Sequence, residues 1–396
     1  MVETTELKTG YKKTKLGWIP EGWNVLQLGE VIELVSGQHL NPNEYTFDKL
    51  GLPYFTGPTD FTHTISEVKK WTTLSSKFGI QNQIIITVKG SGVGSLNFLQ
   101  LKKVALGRQL MSIGSSSNSN KFIFYFLRTK EQLFKALASG NLIPGLSRND
   151  ILKCRIPLPP LAEQKKIADI LSTWDKAIET TQTLIDKLQL RKKGLMQQLL
   201  TGKKRLPGFE GEWEEMRLGD VLTLINGKAY KRNELLSSGK YRILRVGNLF
   251  TNKSWYYSDL ELNNDKYIER GDLIYAWSAS FGPRFWLDEK VIYHYHIWKI
   301  VLTESLDKVF TYYMLLYDAQ RIESKIQGGT MAHITKGDME KSKYFIPQKK
   351  EQNAIAQVLS KADKEIKQTQ NYLGQLQEQK KGLMQQLLTG QRRVNV

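Results

Sequence analysis

The sequence predicts an α+β protein made of two versions of one unit, and three observations predict it. The eleven residues KKGLMQQLLTG occur at residues 192–202 and again at residues 380–390, an offset of 188 in a chain of 396. Each copy ends a long coiled-coil pattern, and β-rich sequence precedes each pattern. We therefore expect two mixed β-rich domains with helices, separated and joined by two long antiparallel coiled-coil helices, as a pseudo-two-fold internal repeat.

The two copies agree in one part and differ in the other. Residues 161–202 and 349–390 are close to interchangeable, whereas residues 30–140 and 220–330 share little beyond their pattern. A duplication without functional meaning would also leave symmetry behind. The uneven divergence instead favours a constant scaffold that carries two variable readers.

The first β-rich segment contains the strand-like run 83–88 and a predicted helix over about residues 120–139. Residues 89–94, with the sequence KGSGVG, resemble a loop that cradles phosphate. The loop lacks the Lys-Ser/Thr ending of a P-loop, and no clear crossover unit supports a dinucleotide fold. The segment therefore predicts a hairpin or a backbone contact to a nucleic-acid phosphate.

The two long helices show apolar residues at alternating steps of four and three. The pattern lasts for more than four heptads in each copy, which predicts coiled-coil seams about 50 Å long. Proline is tolerated at or before a first helical turn, so the cluster of Pro157, Pro159 and Pro160 marks the first start and Pro347 the second, while Gly202 and Gly390 mark the ends. The predicted seam and partner-interface residues are Ile167, Leu171, Trp174, Ile178, Leu188, Leu195, Leu199, Ile355, Leu359, Ile366, Leu376, Leu383 and Leu387.

The second β-rich segment has strand-like runs at residues 241–246, 273–277 and 291–301, followed by a predicted helix at 307–327. Basic and aromatic side chains are interleaved along these runs. His294 and His296 would share one face of a strand, but no third ligand can be named, so a metal site is not predicted. Each β-rich segment has an ordinary size for a compact α+β domain.

The formal charge is +18, of which +10 lies in residues 1–202 and +8 in the remainder. An excess this large and this evenly shared attracts a polyanion over a broad surface, and nucleic acid is the leading candidate. A charged surface kept only for solubility is the alternative. A membrane ranks lower, because no basic amphipathic helix with an aromatic face stands out.

Candidate DNA contacts follow from side-chain chemistry. Arginine makes bidentate contacts with guanine, and lysine mostly meets phosphate. The candidates are Lys89, Ser91, Arg108, Lys228, Arg232, Arg242, Arg245, Trp277, Arg284 and His333.

Several classes of protein are disfavoured by what the sequence lacks. It has no run of 18 apolar residues, and its N-terminal stretch is polar. Cys154 is the only cysteine, so no internal disulfide forms and a reducing cytoplasm fits best. No nucleotide-binding, methyltransferase, serine-hydrolase or zinc motif occurs, so we expect no catalytic residue, cofactor or metal in this chain.

Three further motifs carry a family resemblance. The sequence LGWIPEGW occupies residues 16–23, IPLPPLAEQ occupies residues 156–164, and LLTG closes both long helices. Together with the order of parts over essentially the whole chain, these motifs resemble the specificity (S) subunit of type I restriction-modification enzymes. The second copy opens with the abbreviated sequence IPQKKEQ at residues 346–352.

The resemblance implies a non-catalytic DNA reader with four parts. These are target-recognition domain 1 (residues 1–157), a central conserved helix (158–202), target-recognition domain 2 (203–347) and a C-terminal conserved helix (348–396). Each domain is expected to read one half of a split, asymmetric site with an unread spacer.

The implied partners are double-stranded DNA, two methyltransferase (M) subunits that use S-adenosylmethionine, and restriction (R) subunits that use ATP and Mg. The expected location is the cytoplasm of a bacterium or archaeon. Two alternatives stay open at this stage. One is the DNA-reading module of a nuclease with unrecognised catalytic residues, and the other is a coiled-coil adaptor that does not bind DNA.

Overall fold

The computed structural model describes residues 9–139, 145–250, 253–278, 282–325 and 335–396. The chain divides into two compact units. The first unit consists of residues 1–181 and 372–396, and the second consists of residues 182–371. Each unit therefore contains one β-rich domain and part of each long helix.

The strands of the first unit form two four-stranded sheets and two small pairs. The sheet orders are β6-β5-β10-β7 and β4-β11-β8-β9, and the pairs are β1-β2 and β3-β12. The strands are β1 (Tyr11–Thr14), β2 (Gly17–Pro20), β3 (Asn24–Gln27), β4 (Glu33–Ser36), β5 (Leu52–Phe55), β6 (Trp71–Thr72), β7 (Phe78–Ile80), β8 (Ile84–Thr87), β9 (Leu96–Phe98), β10 (Lys103–Leu106), β11 (Leu110–Gly114) and β12 (Arg155–Leu158).

Strand β8 is buried on both faces because it separates two cores. Side chains alternate along a strand, so Ile84 and Ile86 join the larger core while Ile85 joins the smaller one. The larger core also contains Phe122 from the helix after the sheets and Leu171 from the first long helix.

Three short helices accompany these sheets, namely α1 (Asn120–Arg128), α2 (Glu131–Ser139) and α3 (Arg148–Leu152). The prediction of one continuous helix over residues 120–139 was wrong, because this segment forms two helices, α1 and α2. The break lies at Thr129, whose hydroxyl and backbone N–H both bond to the Phe126 carbonyl and close the first helix.

The second unit repeats the sheet plan of the first. Its orders are β16-β15-β20-β17 and β14-β21-β18-β19, with the small pair β13-β22. The strands are β13 (Glu214–Arg217), β14 (Leu222–Asn226), β15 (Tyr241–Leu244), β16 (Tyr256–Ser258), β17 (Tyr267–Ile268), β18 (Leu273–Ala276), β19 (Gly282–Phe285), β20 (Val291–Tyr293), β21 (Ile297–Leu302) and β22 (Lys343–Ile346).

One strand expectation was wrong in this unit. The run 291–301 was predicted as continuous, but it is divided at residues 294–296 into β20 and β21, which belong to different sheets. The short helices of the unit are α5 (Leu218–Val221), α6 (Val246–Phe250) and α8 (Lys336–Lys341), and the longer α7 (Lys308–Lys325) packs on the core.

The long helices are α4 (Leu161–Leu199) and α9 (Lys349–Leu388). In the first unit the start of α4 packs with the end of α9, and in the second unit the end of α4 packs with the start of α9. This confirms the antiparallel pairing. Gly202 and Gly390, just past the helix ends, have φ angles of 68° and 74°, the left-handed conformation that ends helices.

The predicted seam residues lie on the packed face of both helices. All thirteen seam residues are buried or half-buried, and Leu171 and Leu359, which occupy equivalent positions, are both fully buried. The apolar stripe therefore stabilises the helix pair by removing aliphatic surface from water.

Candidate nucleic-acid interface and repeated scaffold contacts

A short turn joins β10 to β11 and crosses from one sheet to the other in the first unit. The Gly107 N–H donates to the Phe55 carbonyl at 2.8 Å, and the Val88 N–H donates to the Gln109 carbonyl at 2.7 Å. A Cβ on Gly37 would lie 2.1 Å from the Gly107 carbonyl oxygen, so only glycine allows this close approach. The turn is therefore held rigidly at its backbone.

The side chains around this turn are polar and accessible. Arg108 at its tip is exposed, and so are Lys89 and Ser91 in the loop after β8. The structure thus brings the three DNA-contact candidates of the first unit to one edge of its sheets. Gln109, which the sequence argument did not select, is half-buried beside them.

The second unit contains the same turn at residues 294–296. The His294 N–H donates to the Leu244 carbonyl at 2.9 Å, and the Trp277 N–H donates to the His296 carbonyl at 3.1 Å. A Cβ on Gly227 would lie 2.2 Å from the Tyr293 carbonyl oxygen. The backbone contacts therefore repeat, although the side chains differ.

Arg245 lies at the second turn. Its guanidinium stacks over the Tyr256 ring at 4.2 Å, and its buried Nε has no hydrogen-bond partner within the described parts of the chain. Burial, together with the nearby His296 and Arg245, lowers the pKa of His294 to about 4. His294 is therefore neutral at neutral pH.

The remaining DNA-contact candidates have different surroundings. Lys228 pairs with Glu234 at 3.0 Å, and Arg242 pairs with Asp288 at 3.1 Å. Arg232 is exposed on a 3-10 turn, and the exposed Arg284 lies over the Phe250 ring at 4.7 Å. His333 lies outside the described residues.

The sequence argument noticed His294 and His296 only as a metal pair and did not select Tyr295. No group of three His, Cys, Asp or Glu side chains that could hold a metal exists among the residues described. The signal that could have found this turn is its position between two β-rich runs in each copy. In the second copy this signal is hard to see, because the aromatic side chains of the turn give its sequence the composition of a strand.

An ion pair between a buried glutamate and a partly exposed arginine repeats at the start of each long helix. Glu163 accepts from Arg393 Nε at 2.6 Å and from the Trp23 indole N–H at 3.1 Å. Its equivalent Glu351 accepts from Arg205 Nε at 2.6 Å and from the Trp213 indole at 3.3 Å. Both glutamates are almost fully buried, so paired donors are required to offset their desolvation.

The glutamine after each glutamate also repeats its role. Gln164 donates to the Pro159 carbonyl at 2.9 Å, and Gln352 donates to the Pro347 carbonyl at 2.8 Å. The side-chain oxygen of Gln164 accepts the backbone N–H of Ser119, and that of Gln352 accepts the backbone N–H of Asp307. Ser119 and Asp307 each directly precede a helix of their domain, α1 or α7. The recurring Glu-Gln dipeptide therefore fixes each long helix to its domain.

A second polar contact repeats further along the helices. Tyr125 donates its hydroxyl to Asp175 at 2.7 Å, and Tyr313 donates to Asp363 at 2.7 Å. Burial and the neighbouring carboxylate raise the pKa of both phenols. Lys380 pairs with Asp175, and Lys192 pairs with Asp363, so each aspartate joins both long helices and the domain.

Each unit also has a groove beside this contact, of about 700 Å³ in the first unit and about 690 Å³ in the second. Six residues lining the second groove correspond to residues lining the first at the offset of 188. The pairs are Asp175 and Asp363, Ile178 and Ile366, Gln377 and Gln189, Lys380 and Lys192, Lys381 and Lys193, and Met384 and Met196.

A family model described as the type I restriction modification DNA specificity domain matches residues 20–190 and again residues 210–376. The chain belongs to this family of type I DNA specificity subunits. The double match confirms the resemblance inferred from the sequence motifs, and the family's role is DNA sequence recognition without catalysis.

Related proteins support the same assignment. The type I restriction enzyme MjaVIII specificity subunit of Methanocaldococcus jannaschii is 27% identical, with 95% of this chain and 94% of that protein covered. A crystal structure of a type I restriction-modification S subunit from M. genitalium matches with a TM-score of 0.58 at 18% identity, over 92% of this chain and 96% of that one.

A third match is a chain from a structure that concerns complex assembly and conformational transition of the type I R-M system. It has a TM-score of 0.63 at 18% identity and covers 94% of this chain and 99% of its own. At these identities the two structures establish the fold. No helix in the described parts of this specificity subunit is long and apolar enough to span a membrane.

Proposed function

We propose that this specificity subunit reads a bipartite, asymmetric site in double-stranded DNA, with one half-site for each unit and an unread spacer between them. The observation that carries the proposal is the repeated sheet plan with different side chains at equivalent positions. Equal backbones place the two readers in the same way, whereas different side chains select different bases. The net charge of +18 supplies the attraction to phosphate that both units share.

The repeated scaffold supports two equal docking sites for M subunits. Six residues that line the groove in one unit have identical counterparts in the groove of the other unit, among them an aspartate, two lysines and a methionine. Equal surfaces recruit equal partners. R subunits then join the complex, with S-adenosylmethionine held by the M subunits and ATP and Mg by the R subunits.

DNA binding is tested by selection of randomised duplex DNA on the full chain at two salt concentrations. We expect two short enriched segments at a fixed separation and a steep loss of affinity with salt. No binding of duplex DNA at either salt concentration, with or without M subunits, would favour the coiled-coil adaptor. Metal-dependent cleavage by the isolated chain would favour the nuclease.

Partner docking is tested by native mass spectrometry of the complex with M subunits. A saturated complex should contain two M subunits for each chain. Saturation at one would contradict equal docking sites.

Because the proposed target is double-stranded DNA, we propose that the complex acts in the cytoplasm of a bacterium or archaeon.

A further inference from the structure

The turn between the two sheets has the same backbone in both units but different side chains. Residues 107–109 are Gly-Arg-Gln, and residues 294–296 are His-Tyr-His. Two equivalent backbone hydrogen bonds hold each turn to neighbouring segments, the Tyr295 N–H adds a third in the second turn, and a close glycine contact, at Gly37 or Gly227, limits its movement. The conformations are therefore fixed by the fold rather than by the side chains that the turns carry.

The first turn presents groups that suit base edges. Arginine pairs with guanine O6 and N7, and glutamine pairs with adenine N6 and N7. Arg108 is exposed and Gln109 is half-buried. Lys89 and Ser91 lie on the adjacent loop, where they suit phosphate contacts that position a reader without selecting bases.

The second turn presents different chemistry on the same backbone. Tyr295 is 37% exposed, and the His296 ring meets the Trp277 ring edge-on at 4.9 Å. The neighbouring Arg245 has a buried Nε that finds no hydrogen-bond partner among the residues described. These groups can stack on a base or bond to its edge, so this turn selects different bases from the first.

A purely connecting role explains this arrangement poorly. Connecting turns favour Gly, Pro, Asn, Asp and Ser, because those residues fit tight conformations. An exposed arginine or tyrosine at the tip of such a turn contributes little to the stability of the fold. By contrast, the charge of Arg242 is already compensated by Asp288 and Glu289, so that residue is a weaker reader than Arg245.

We propose that these two turns are the base-reading elements of the subunit, with Arg108 and Gln109 setting one half-site and Tyr295, His296 and Arg245 setting the other. This inference rests on the proposed function and deepens it. It assigns specificity to two short segments within the divergent regions. Each half-site should therefore depend on the turn of its own unit, with Arg245 beside the second turn, and not on the turn of the other unit.

The test is selection of randomised duplex DNA on the full chain, with M subunits added to every sample. The double variant Arg108→Ala with Gln109→Ala should lose discrimination at one or two base positions of one half-site, by about 10- to 100-fold. The other half-site should stay unchanged and thereby show that the chain is folded. Tyr295→Ala with His296→Ala should give the reciprocal result.

A conservative variant separates base reading from attraction to phosphate. Arg108→Lys keeps the positive charge but removes the planar fork that contacts guanine. We expect lost base preference with an unchanged salt dependence. A preserved base preference would overturn direct reading by Arg108.

Lys103→Ala and Lys290→Ala provide matched controls. Lys103 is the first residue of β10 and Lys290 directly precedes β20, so both lie at the strand end away from the turn, and neither substitution should change a half-site. If the wild-type chain selects two half-sites and the turn variants select the same ones, the inference fails while the proposed function stands. If the wild-type chain selects no sequence, the proposed function fails as well.

Discussion

At the scale of single residues, the buried glutamates carry the clearest energetic prediction. Removing one partner of a buried ion pair leaves an uncompensated charge, which costs about 3 kcal/mol or more. We expect Arg205→Met to lower the free energy of unfolding, by less than this amount, because Glu351 is only 2% exposed and would lose its arginine while keeping the Trp213 indole donor. Urea denaturation followed by circular dichroism measures the effect.

The exposed pair Lys240 and Glu261 provides the control for that measurement. Both side chains are more than half exposed, and surface pairs contribute about 0–1 kcal/mol. Lys240→Met should therefore change stability little. An equal loss in both variants would show that burial does not decide the cost.

His294 predicts a dependence of stability on pH. Its pKa falls from 6.5 to about 4 on folding, so below pH 6.5 the unfolded chain binds the proton more readily. Stability should therefore fall as pH decreases from about 6.5 to 4, by roughly 1–2 kcal/mol after allowance for partial exposure.

His294→Gln should remove that part of the pH dependence. Urea unfolding at pH 7 and pH 5 compares this variant with the wild-type chain and with His63→Gln, which removes an exposed imidazole in the other unit. The same difference between the two pH values in all three proteins would contradict the prediction.

At the scale of elements, the seam of the long helices controls both stability and assembly. Leu195 and Leu383 occupy equivalent half-buried positions that pack against the two main cores. Aspartate at either position would place a charge in an apolar contact, which costs about 2 kcal/mol or more.

We expect Leu195→Asp and Leu383→Asp each to lower the melting temperature and to weaken recruitment of M subunits. Leu190→Asp is the matched control, because Leu190 is 71% exposed on the same helix as Leu195. Thermal unfolding and native mass spectrometry measure the two effects. If a destabilised Leu195→Asp protein still recruits M subunits normally, docking of M subunits does not depend on the pairing of the long helices.

The elements also show which features the sequence could predict. A heptad pattern is local and repeated, so the long helices and their packed faces were predictable. The turn at residues 294–296 was not, because its position depends on the distant Gly227 rather than on its own residues. For the same reason the sequence could not distinguish Arg242, paired with distant carboxylates, from Arg245, whose Nε has no hydrogen-bond partner in the described ranges of the chain.

At the scale of the whole molecule, the long helices predict the spacing of the two half-sites. Helix α4 has 39 residues and is shared by both units, a length of about 58 Å at 1.5 Å per residue. If the helix pair sets the separation, one heptad added to α4 after residue 181 and another added to α9 after residue 371 should lengthen the preferred spacer by about three base pairs.

Selection of randomised duplex DNA measures the spacer. Seven residues inserted after Gly208, in the segment that follows α4, serve as the control and should leave it unchanged. Both insertions should leave the half-sites themselves intact. A spacer that ignores the added heptads would show that the helices do not set the distance.

The division of the chain also determines the order in which its parts can fold during synthesis. The second unit is one continuous stretch, residues 182–371, whereas the first unit needs residues 372–396 to complete its helix pair and to supply Arg393. Domains usually fold from the N-terminus as the ribosome releases them. Here the unit that is translated first is completed last. The apolar face of α4 in this unit stays exposed until the end of α9, which packs against it, has been translated more than 190 residues later.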